Sequence, residues 1–263
     1  MDRYARWTAL LEVLAETGRI SVEDAAGRLD VSQATIRRDF DQLAQQQMIT
    51  RTRGGAVASA VSYDLPLRYK SAKRAPEKQR IGSAAAALVT PGMVVGINGG
   101  TTTTEVARAL ATRPDLAGGT TNDGTALTIV TNALNIANEL IVRPHVKLVV
   151  TGGVVRPQSY ELIGPLATGI LRDLMLDVAF LGVDAVDVAL GAAAHNEGEA
   201  AINQLMAARA RRIVIVADSS KLGQHAFARI CPIDRVHTLV TDSTANEELT
   251  SKFATAGVEV IRV

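Results

Sequence analysis

The apolar residues near the N-terminus recur with helical spacing and predict three short helices. Trp7, Leu10, Leu11 and Leu14 follow i, i+3, i+4, i+7 spacing, so residues 2–16 should form an amphipathic helix. Two serines, Ser21 and Ser32, can each cap the start of a further helix. The apolar positions after these caps are Val22, Ala25, Ala26 and Leu29, and then Ile36, Phe40 and Leu43. Three short helices joined by short turns are typical of helix-turn-helix topology.

A hairpin and then a linker are predicted to follow the third helix. Residues 48–57 show roughly alternating polarity that is interrupted by Gly54 and Gly55, which predicts a β-hairpin of the kind called a wing. Residues 59–74 contain Pro66 and have no clear period, so we interpret them as a linker. The predicted domains on its two sides are therefore residues 1–58 and residues 75–263.

The second part of the chain has the pattern of an α/β domain. A helical pattern over residues 75–89 is followed by apolar, β-branched runs, and helical patterns lie between most of them. These runs are residues 93–97, 127–130, 146–150, 178–183, 213–217, 236–241 and 258–263. Such alternation predicts a largely parallel sheet with helices on both faces. The polar, glycine-rich residues 114–126 are expected to form an exposed loop.

The composition is that of a soluble globular protein, with 47% hydrophobic and 21% charged residues among 263. The net charge of +1 predicts no partner, and 3% aromatic residues argue against a protein that reads single strands or RNA by stacking. The sole cysteine, Cys231, is expected in the core. No signal peptide or membrane-spanning segment is recognisable, so we expect a cytoplasmic protein with no membrane partner.

Arginines concentrate on the third helix and the hairpin. At 100° per residue, Arg38 lies opposite the apolar stripe of the third helix and Arg37 lies on its flank. A recognition helix contacts base edges with its first turn and exposed face, and a wing can contact phosphates. The predicted contacts to double-stranded DNA are Ser32, Gln33, Thr35, Arg37, Arg38, Arg51 and Arg53. Asp39 is expected to orient an arginine within the protein. An arginine-rich helix exposed in a protein–protein module is the alternative.

A second group of polar and small residues follows the predicted strands of the sheet. The run from Gly99 to Thr104 lies between a strand and a helix, where free N–H groups and hydroxyls suit a phosphate. Ligands bind at the carboxyl ends of strands in open α/β sheets, so five strands with such endings predict one shared pocket. The alternatives are purely structural: a threonine-capped helix without ligand, helix caps at Asn132 and Asp184, a turn at Gly152-Gly153, and a solvated Lys221.

Two sets of motifs resemble the DeoR family of bacterial regulators of sugar metabolism. VSQATIRRDFDQL followed by RTRGGAV resembles the family's DNA-binding signature, although the family often has His where this chain has Arg53. NGGTTTTEVARAL, VTNALNIANEL, TGGVVR, GVDA and ADSSK resemble its sensor-domain motifs. The resemblance implies an N-terminal winged helix-turn-helix bound to an operator. It also implies a C-terminal α/β sensor domain that resembles the ribose-5-phosphate isomerase and CoA-transferase folds and binds a phosphorylated sugar.

The resemblance also implies roles for individual residues. The threonine-rich loop and Lys221 would hold a phosphate, and Asp184 with residues 195–199 would hold sugar hydroxyls. The expected effector-binding residues are Asn98, Gly99, Gly100, Thr101, Thr102, Thr103, Thr131, Asn132, Gly152, Gly153, Arg156, Asp184, His195, Asn196, Glu199 and Lys221. His195-Asn196-Glu197 resembles the branch that regulates the use of N-acetylgalactosamine and related amino sugars, so the effector is expected to be a hexosamine phosphate.

The expected function is a transcriptional regulator, most simply a repressor, with no catalytic residues and no cofactor. One histidine with Glu197 or Glu199 is too small a set for a metal site. Because one winged module buries little DNA surface, a homo-oligomer on repeated half-sites is expected. The alternative is an enzyme similar to a sugar-phosphate isomerase with a DNA-binding arm, in which Asp184, Glu199 and Lys221 would supply acid–base groups.

Overall fold

The computed structural model of the chain describes residues 3–46, 48–58, 67, 73–116 and 125–263. The chain divides into two compact units, Met1–Tyr69 and Lys70–Val263. Most of the predicted linker, residues 59–74, lies outside the described residues, and so do residues 117–124 of the predicted glycine-rich loop.

The first unit contains the three predicted helices and a small antiparallel sheet. The helices are α1 (Arg3–Thr17), α2 (Val22–Leu29) and α3 (Gln33–Gln45). The strands are β1 (Arg19–Ser21), β2 (Ile49–Thr52) and β3 (Gly55–Ala58), arranged in the order β1-β3-β2. Both predicted caps are present, because Ser21 Oγ accepts from Asp24 N at 2.9 Å and Ser32 Oγ accepts from Thr35 N at 3.2 Å. The predicted winged helix-turn-helix is therefore confirmed, with β1 as an added strand.

The two glycines of the hairpin have different physical roles. Gly54 lies in the turn with a φ of +82°, which disfavours other residues. Gly55 lies in β3 with its α-carbon packed against β1, where a Cβ would lie 2.4 Å from the Ile20 carbonyl oxygen. The wing therefore packs tightly against the strand that precedes α2. The three-residue length of β1 explains why the sequence pattern does not reveal it.

Asp39 joins α1 to α3 inside the first unit. Its side chain is buried, and Oδ1 accepts from Trp7 Nε1 at 2.8 Å and from Arg6 Nη2 at 3.0 Å. Arg6 Nε also donates to Oδ2. As expected, Asp39 is an intramolecular partner, and its arginine is Arg6. The surrounding core consists of the predicted apolar residues, including Leu10, Leu14, Ile36, Phe40 and Leu43.

The second unit is built on a seven-stranded sheet in which every neighbouring pair of strands is parallel. Its order is β15-β14-β12-β9-β4-β5-β6. The strands are β4 (Val94–Ile97), β5 (Leu127–Thr131), β6 (Val146–Val150), β9 (Leu176–Leu181), β12 (Ala210–Val216), β14 (Thr238–Thr241) and β15 (Glu259–Arg262). The predicted parallel sheet is confirmed, with strand ends shifted by up to three residues.

Helices cover both faces of this sheet. They are α4 (Ala75–Ala86), α5 (Thr101–Thr112), α6 (Leu134–Leu140), α7 (Pro165–Arg172), α8 (Glu197–Arg209) and α9 (Glu247–Thr255). The central strands supply alternate residues to two separate apolar clusters. In β12, Ile213 and Ile215 pack in one cluster while Val214 and Val216 pack in the other. The near-continuous apolar runs in the sequence are thus explained by burial on both sides.

Shorter antiparallel strands, which the sequence pattern does not predict, lie outside the large sheet. They are the pair β7 (Val154–Arg156) and β8 (Glu161–Ile163), and the sheet formed by β10 (Ala185–Asp187), β11 (Gly191–Ala194) and β13 (Ala228–Cys231). Each has only three or four residues, too few to show a period. Within the described part of the chain, no helix is both long and apolar enough to cross a membrane.

We predict that Asp39→Ala lowers the free energy of unfolding of the first unit by about 3–5 kcal/mol, because it removes the buried carboxylate that accepts hydrogen bonds from Arg6 and Trp7. The chain has one tryptophan, Trp7, so urea unfolding followed by tryptophan fluorescence reports on this unit alone. Asp41→Ala is the matched control: the side chain of Asp41 is 60% exposed in its ion pair with Arg51, so we expect a loss of about 1 kcal/mol or less. Equal losses in the two variants would contradict the anchoring role of Asp39.

Candidate functional site

The outer face of α3 presents the predicted DNA-binding residues to solvent. Arg37 and Arg38 are exposed, and Arg37 Nη2 donates to Gln33 Oε1 at 3.1 Å, one turn earlier. Ser32 and Thr35 form the helix cap, and their hydroxyls lie 2.9 Å apart. Arg38 has no ion pair with any described residue. The face is therefore cationic and polar, while the opposite face of α3 is buried.

The two wing arginines, Arg51 and Arg53, have different surroundings. Arg51 Nε lies 3.0 Å from Asp41 Oδ1, Arg51 Nη1 donates to the Gly55 carbonyl at 3.2 Å, and the guanidinium lies 5.6 Å from the Phe40 ring centroid. These contacts hold the wing against α3. Arg53 follows β2 and lies exposed in the turn.

The parallel register brings the carboxyl ends of five neighbouring strands to one edge of the large sheet. Ile97 pairs with both Phe180 and Thr131, Leu181 pairs with Ile215, and Val216 pairs with Val240. The residues that follow these strands come together at that edge, in the order Asp242, Asp218, Gly182, Asn98 and Asn132. We call this edge, with the loops that cover it, the sheet-edge site.

The start of α5 at the sheet-edge site is not capped by a side chain. Its N-cap residue is Gly100, with a φ of +149°. The hydroxyls of Thr103 and Thr104 donate to the Gly100 carbonyl at 3.1 and 2.6 Å and so serve the helix itself. For the hydroxyls of Thr101 and Thr102 the structure shows no hydrogen-bond partner among the described residues. The helix N-terminus and these two hydroxyls can therefore receive an anion.

Several predicted site residues have structural roles in this conformation. The Asn98 side chain binds Gly182 twice, with Nδ2 donating to its carbonyl at 2.9 Å and Oδ1 accepting from its N–H at 2.8 Å. Thr131 Oγ1 accepts from Ala133 N at 3.1 Å, and Asn196 caps α8. Gly152 and Gly153 form a turn with φ values of +74° and +125°, and a Cβ on Gly153 would lie 2.8 Å from Ala167 Cβ.

Three carboxyl groups and one arginine form the other part of the sheet-edge site. Arg156 Nη1 lies 3.2 Å from Glu199 Oε1, and both side chains are largely buried. Asp184 Oδ2 accepts from His195 N at 2.9 Å. Glu161 completes the group, since Asn132 Nδ2 donates to Glu161 Oε2 at 3.1 Å. The predicted residues Asn132, Arg156, Asp184 and Glu199 are thus brought together, and His195 lies beside them.

Glu161 is the member of this group that the sequence analysis misses. It is 3% exposed, and its side chain fills the space that a Cβ on Gly99 would need, 2.3 Å from Glu161 Cγ. Burial and the nearby Glu199 raise the pKa of Glu161 to about 8, against the lowering effect of the Asn132 hydrogen bond. The sequence does carry one signal for it: an acidic residue, Glu161, directly precedes the apolar pair Leu162-Ile163 shortly after Arg156.

Lys221 lies in a one-turn helix, Ser219–Lys221, at the end of β12. Asp218 caps this turn through Ser220 N at 3.1 Å, and Asp242 accepts from Ser219 N at 2.6 Å. Burial opposes ionisation of Asp242, yet hydrogen bonds from Thr244 and Ser219 hold the pKa of its carboxyl below the ordinary value. The half-buried Lys221 has no ion pair with any described residue and can supply positive charge to a ligand.

The described residues do not indicate metal or thiol chemistry. Among them, no group of three or more His, Cys, Asp or Glu side chains is arranged to hold a metal ion. Cys231 is buried in the core, and burial raises the pKa of its thiol to about 11, so it is a neutral core residue.

Models of two protein families match this chain. One, described as the DeoR-like helix-turn-helix domain, matches residues 6–60. The other, described as the DeoR C terminal sensor domain, matches residues 73–243 and so covers most of the second unit. Between them the matches cover both units of the chain.

Curated relatives are similar over almost their whole length. The chain is 34% identical over 257 residues to a protein of Escherichia coli O157:H7 named as a transcriptional repressor of the aga operon, with 97% of this chain and 91% of that protein covered. It is 34% identical over 254 residues to the transcriptional regulator GlpR of Haloferax volcanii, with 96% and 94% covered. Ribose 5-phosphate isomerase A of Neisseria gonorrhoeae matches 55% of this chain over 52% of its own, with 20% identity and a TM-score of 0.37.

The raised pKa of Glu161 predicts a pH-dependent contribution to stability. The folded chain keeps this carboxyl protonated up to about pH 8, whereas the unfolded chain ionises it near 4.5. The stability that the protonated Glu161 carboxyl contributes is therefore complete below the pKa of the unfolded chain, 4.5. It is lost as the pH rises through the pKa of the folded chain, about 8. Glu161→Gln cannot ionise, so its melting temperature relative to wild type should rise between about pH 6 and about pH 9.

Thermal unfolding of the two proteins across this range measures the effect. Glu197→Gln is the control, because Glu197 is exposed at the start of α8. A constant difference between Glu161→Gln and wild type at all pH values would contradict a buried, protonated Glu161.

Proposed function

The chain belongs to the DeoR family of transcriptional regulators, and we propose that a phosphorylated sugar bound at its sheet-edge site controls its binding to operator DNA. As a repressor of the DeoR type it binds DNA through the helix-turn-helix of its first unit. The observation that carries the effector proposal is the juxtaposition at one sheet edge of three features: a helix N-terminus without a side-chain cap, Lys221, which has no ion pair with any described residue, and a buried polar group.

The exposed face of α3 is proposed to enter the major groove. Arg38 points away from the core and can donate to the acceptors of guanine, while Gln33 matches adenine. Arg53 at the tip of the wing can reach a phosphate. Arg51, which contacts Asp41 and Phe40, would act mainly by holding the wing in place for that contact. Half-sites bound by a homo-oligomer would add affinity without new contacts in each module.

The phosphate of the effector is proposed to bind between the start of α5 and Lys221. The N–H groups after Gly100, the hydroxyls of Thr101 and Thr102, and the ammonium group of Lys221 are all donors suited to a phosphate. The carboxylates of Glu199 and Asp184 would repel this group. The phosphate therefore binds away from Glu199 and Asp184, and this gives the bound molecule a fixed direction.

The sugar part is proposed to bind at the carboxyl groups, where hydroxyl or amino donors are needed. Asn132 is fully buried, and its Oδ1 has no hydrogen-bond partner among the described residues. A buried acceptor without a hydrogen bond costs about 1–3 kcal/mol, and a donor group of the ligand would remove that cost. We propose a hexosamine phosphate, on the basis of this acceptor-rich site and of the resemblance of His195-Asn196-Glu197 to the amino-sugar branch of the family.

We also propose that the chain performs no chemistry on its effector. Two groups that an isomerase-like mechanism would use are already engaged, since Glu199 pairs with Arg156 and Asp184 accepts from a backbone N–H. Incubation with ribose, hexose and hexosamine phosphates should give no isomerised product. Product formation that Glu199→Gln abolishes would establish the enzymatic alternative.

We predict that Arg38→Ala weakens binding to a selected operator duplex by about 1–3 kcal/mol, or roughly 5-fold to 150-fold, while thermal stability is unchanged. The duplex is selected with wild type from a random-sequence library, and fluorescence anisotropy measures its affinity. Arg211→Ala is the matched control, because it removes the same charge from a side chain that is 75% exposed in the second unit. An Arg38→Ala affinity equal to that of Arg211→Ala would contradict the proposed docking.

We predict that Lys221→Ala weakens effector binding by about tenfold or more, because one charge-assisted hydrogen bond is lost. We expect the affinity for the operator to be unchanged. Thermal shifts with galactosamine 6-phosphate, glucosamine 6-phosphate, glucose 6-phosphate and ribose 5-phosphate identify the effector in wild type. Lys147→Ala, which removes an exposed lysine from β6, is the control. If Lys221→Ala and Lys147→Ala gave the same shift as wild type, Lys221 would not hold the phosphate.

A further inference from the structure

Arg74 is the last residue of the predicted linker and lies in the second unit, at the start of α4. It is the N-cap residue of α4 and has a φ of +53°, in the left-handed region that non-glycine residues rarely adopt. Its side chain makes no capping hydrogen bond to α4. A backbone conformation of this kind persists where surrounding contacts fix it, so the contacts of the Arg74 side chain are informative.

The Arg74 side chain reaches the turn that carries Lys221. Arg74 Nη1 donates to Ser219 Oγ at 2.7 Å, across 145 positions of sequence. Its Nε lies 3.7 Å from Asp218 Oδ1 and its Nη1 lies 3.9 Å from Asp242 Oδ2. Both carboxylates are almost fully buried, whereas the Arg74 side chain is 34% exposed. Arg74 is therefore bound to the Lys221 turn by one hydrogen bond and by charge attraction.

Helix α4 also packs against α5, the other part of the proposed phosphate site. A Cβ on Gly82 of α4 would lie 2.6 Å from the backbone carbonyl carbon of Glu105 in α5, so the two helices touch through their backbones. Lys78, one turn after Arg74, is buried, and its pKa falls to about 8 because burial outweighs the attraction of Asp218. Helix α4 thus contacts both elements that would hold the phosphate.

We propose that Arg74 is the positioning residue that couples occupancy of the sheet-edge site to operator binding. This inference rests on the proposed function. A phosphate bound by Lys221 brings negative charge to the turn that Arg74 contacts through Ser219. The phosphate then competes with Asp218 and Asp242 for the positive charge of Arg74. The Arg74 contact then differs in strength between the free and bound states. Arg74 is also the last residue of the predicted linker between the two domains, so a change in its contact acts at the covalent connection to the DNA-binding unit.

The test is a thermodynamic cycle on the full chain. Operator affinity is measured by anisotropy without and with saturating galactosamine 6-phosphate, and with each of the other three sugar phosphates named above. The ratio of the two affinities is the coupling factor, which for wild type we expect to be about fivefold or larger in either direction. For Arg74→Ala we expect a factor close to one, with operator affinity in the absence of sugar phosphate within about threefold of wild type.

Variants on both sides of the contact separate coupling from general damage. Arg80→Ala removes an exposed arginine from the same helix and should keep the wild-type factor. Arg74→Lys retains the charge and should restore part of the coupling. Ser219→Ala should lower the factor, and adding it to Arg74→Ala should lower it no further, because the two side chains share one hydrogen bond. Melting temperatures confirm that each variant is folded.

The possible failures are distinguishable. A wild-type factor of one with all four sugar phosphates would overturn the proposed effector function and this inference with it. A wild-type factor above fivefold that persists in Arg74→Ala would overturn this inference alone. Loss of coupling in Arg80→Ala as well as in Arg74→Ala would assign the effect to helix α4 in general and would also contradict a specific role for Arg74.

Discussion

The parallel direction of all seven strands in the large sheet is the constraint on which the second unit depends. Parallel strands end at the same edge, so residues that are far apart in sequence must meet there. Asn98, Asn132, Gly182, Asp218 and Asp242 each follow a buried strand. The two apolar clusters on the faces of the sheet fix the strands in register and thereby hold these polar residues in place. The site is therefore a consequence of the packing of the sheet.

The same constraint sets the electrostatics of the edge. Charged side chains at this edge are shielded from solvent. Each of them therefore needs an oppositely charged or hydrogen-bonding partner, or its pKa shifts so that the neutral form is favoured. Arg156 pairs with Glu199, Arg74 lies beside Asp218 and Asp242, and Glu161 takes up a proton because burial and Glu199 disfavour its charge. Lys221 and the start of α5 lie at the part of this edge that suits an anion. An anionic molecule with hydroxyl or amino groups at its other end fits this distribution.

Sequence patterns predict the main elements well because those elements bury long periodic faces. The helix of Trp7, Leu10 and Leu14 and the capped helix of Ile36 and Phe40 are examples, as are the parallel strands. The short strands β7, β8, β10, β11 and β13 have too few residues to show a period. The contacts of Arg51, Arg74 and Glu161 depend on residues brought close only by the fold, so no local pattern reveals them. The family resemblance identifies motifs along the chain, but it does not predict these contacts.

The chain binds duplex DNA with its first unit, and we propose that it binds a sugar phosphate at the sheet edge of its second unit. Hydrogen exchange of the full chain, with selected operator duplex and separately with galactosamine 6-phosphate, tests both parts at once. We expect the duplex to protect peptides from residues 32–58 and the sugar phosphate to protect peptides from residues 98–104 and 218–222. Protection by the sugar phosphate that lies wholly outside the sheet edge, or protection by the duplex that spares α3, would contradict it.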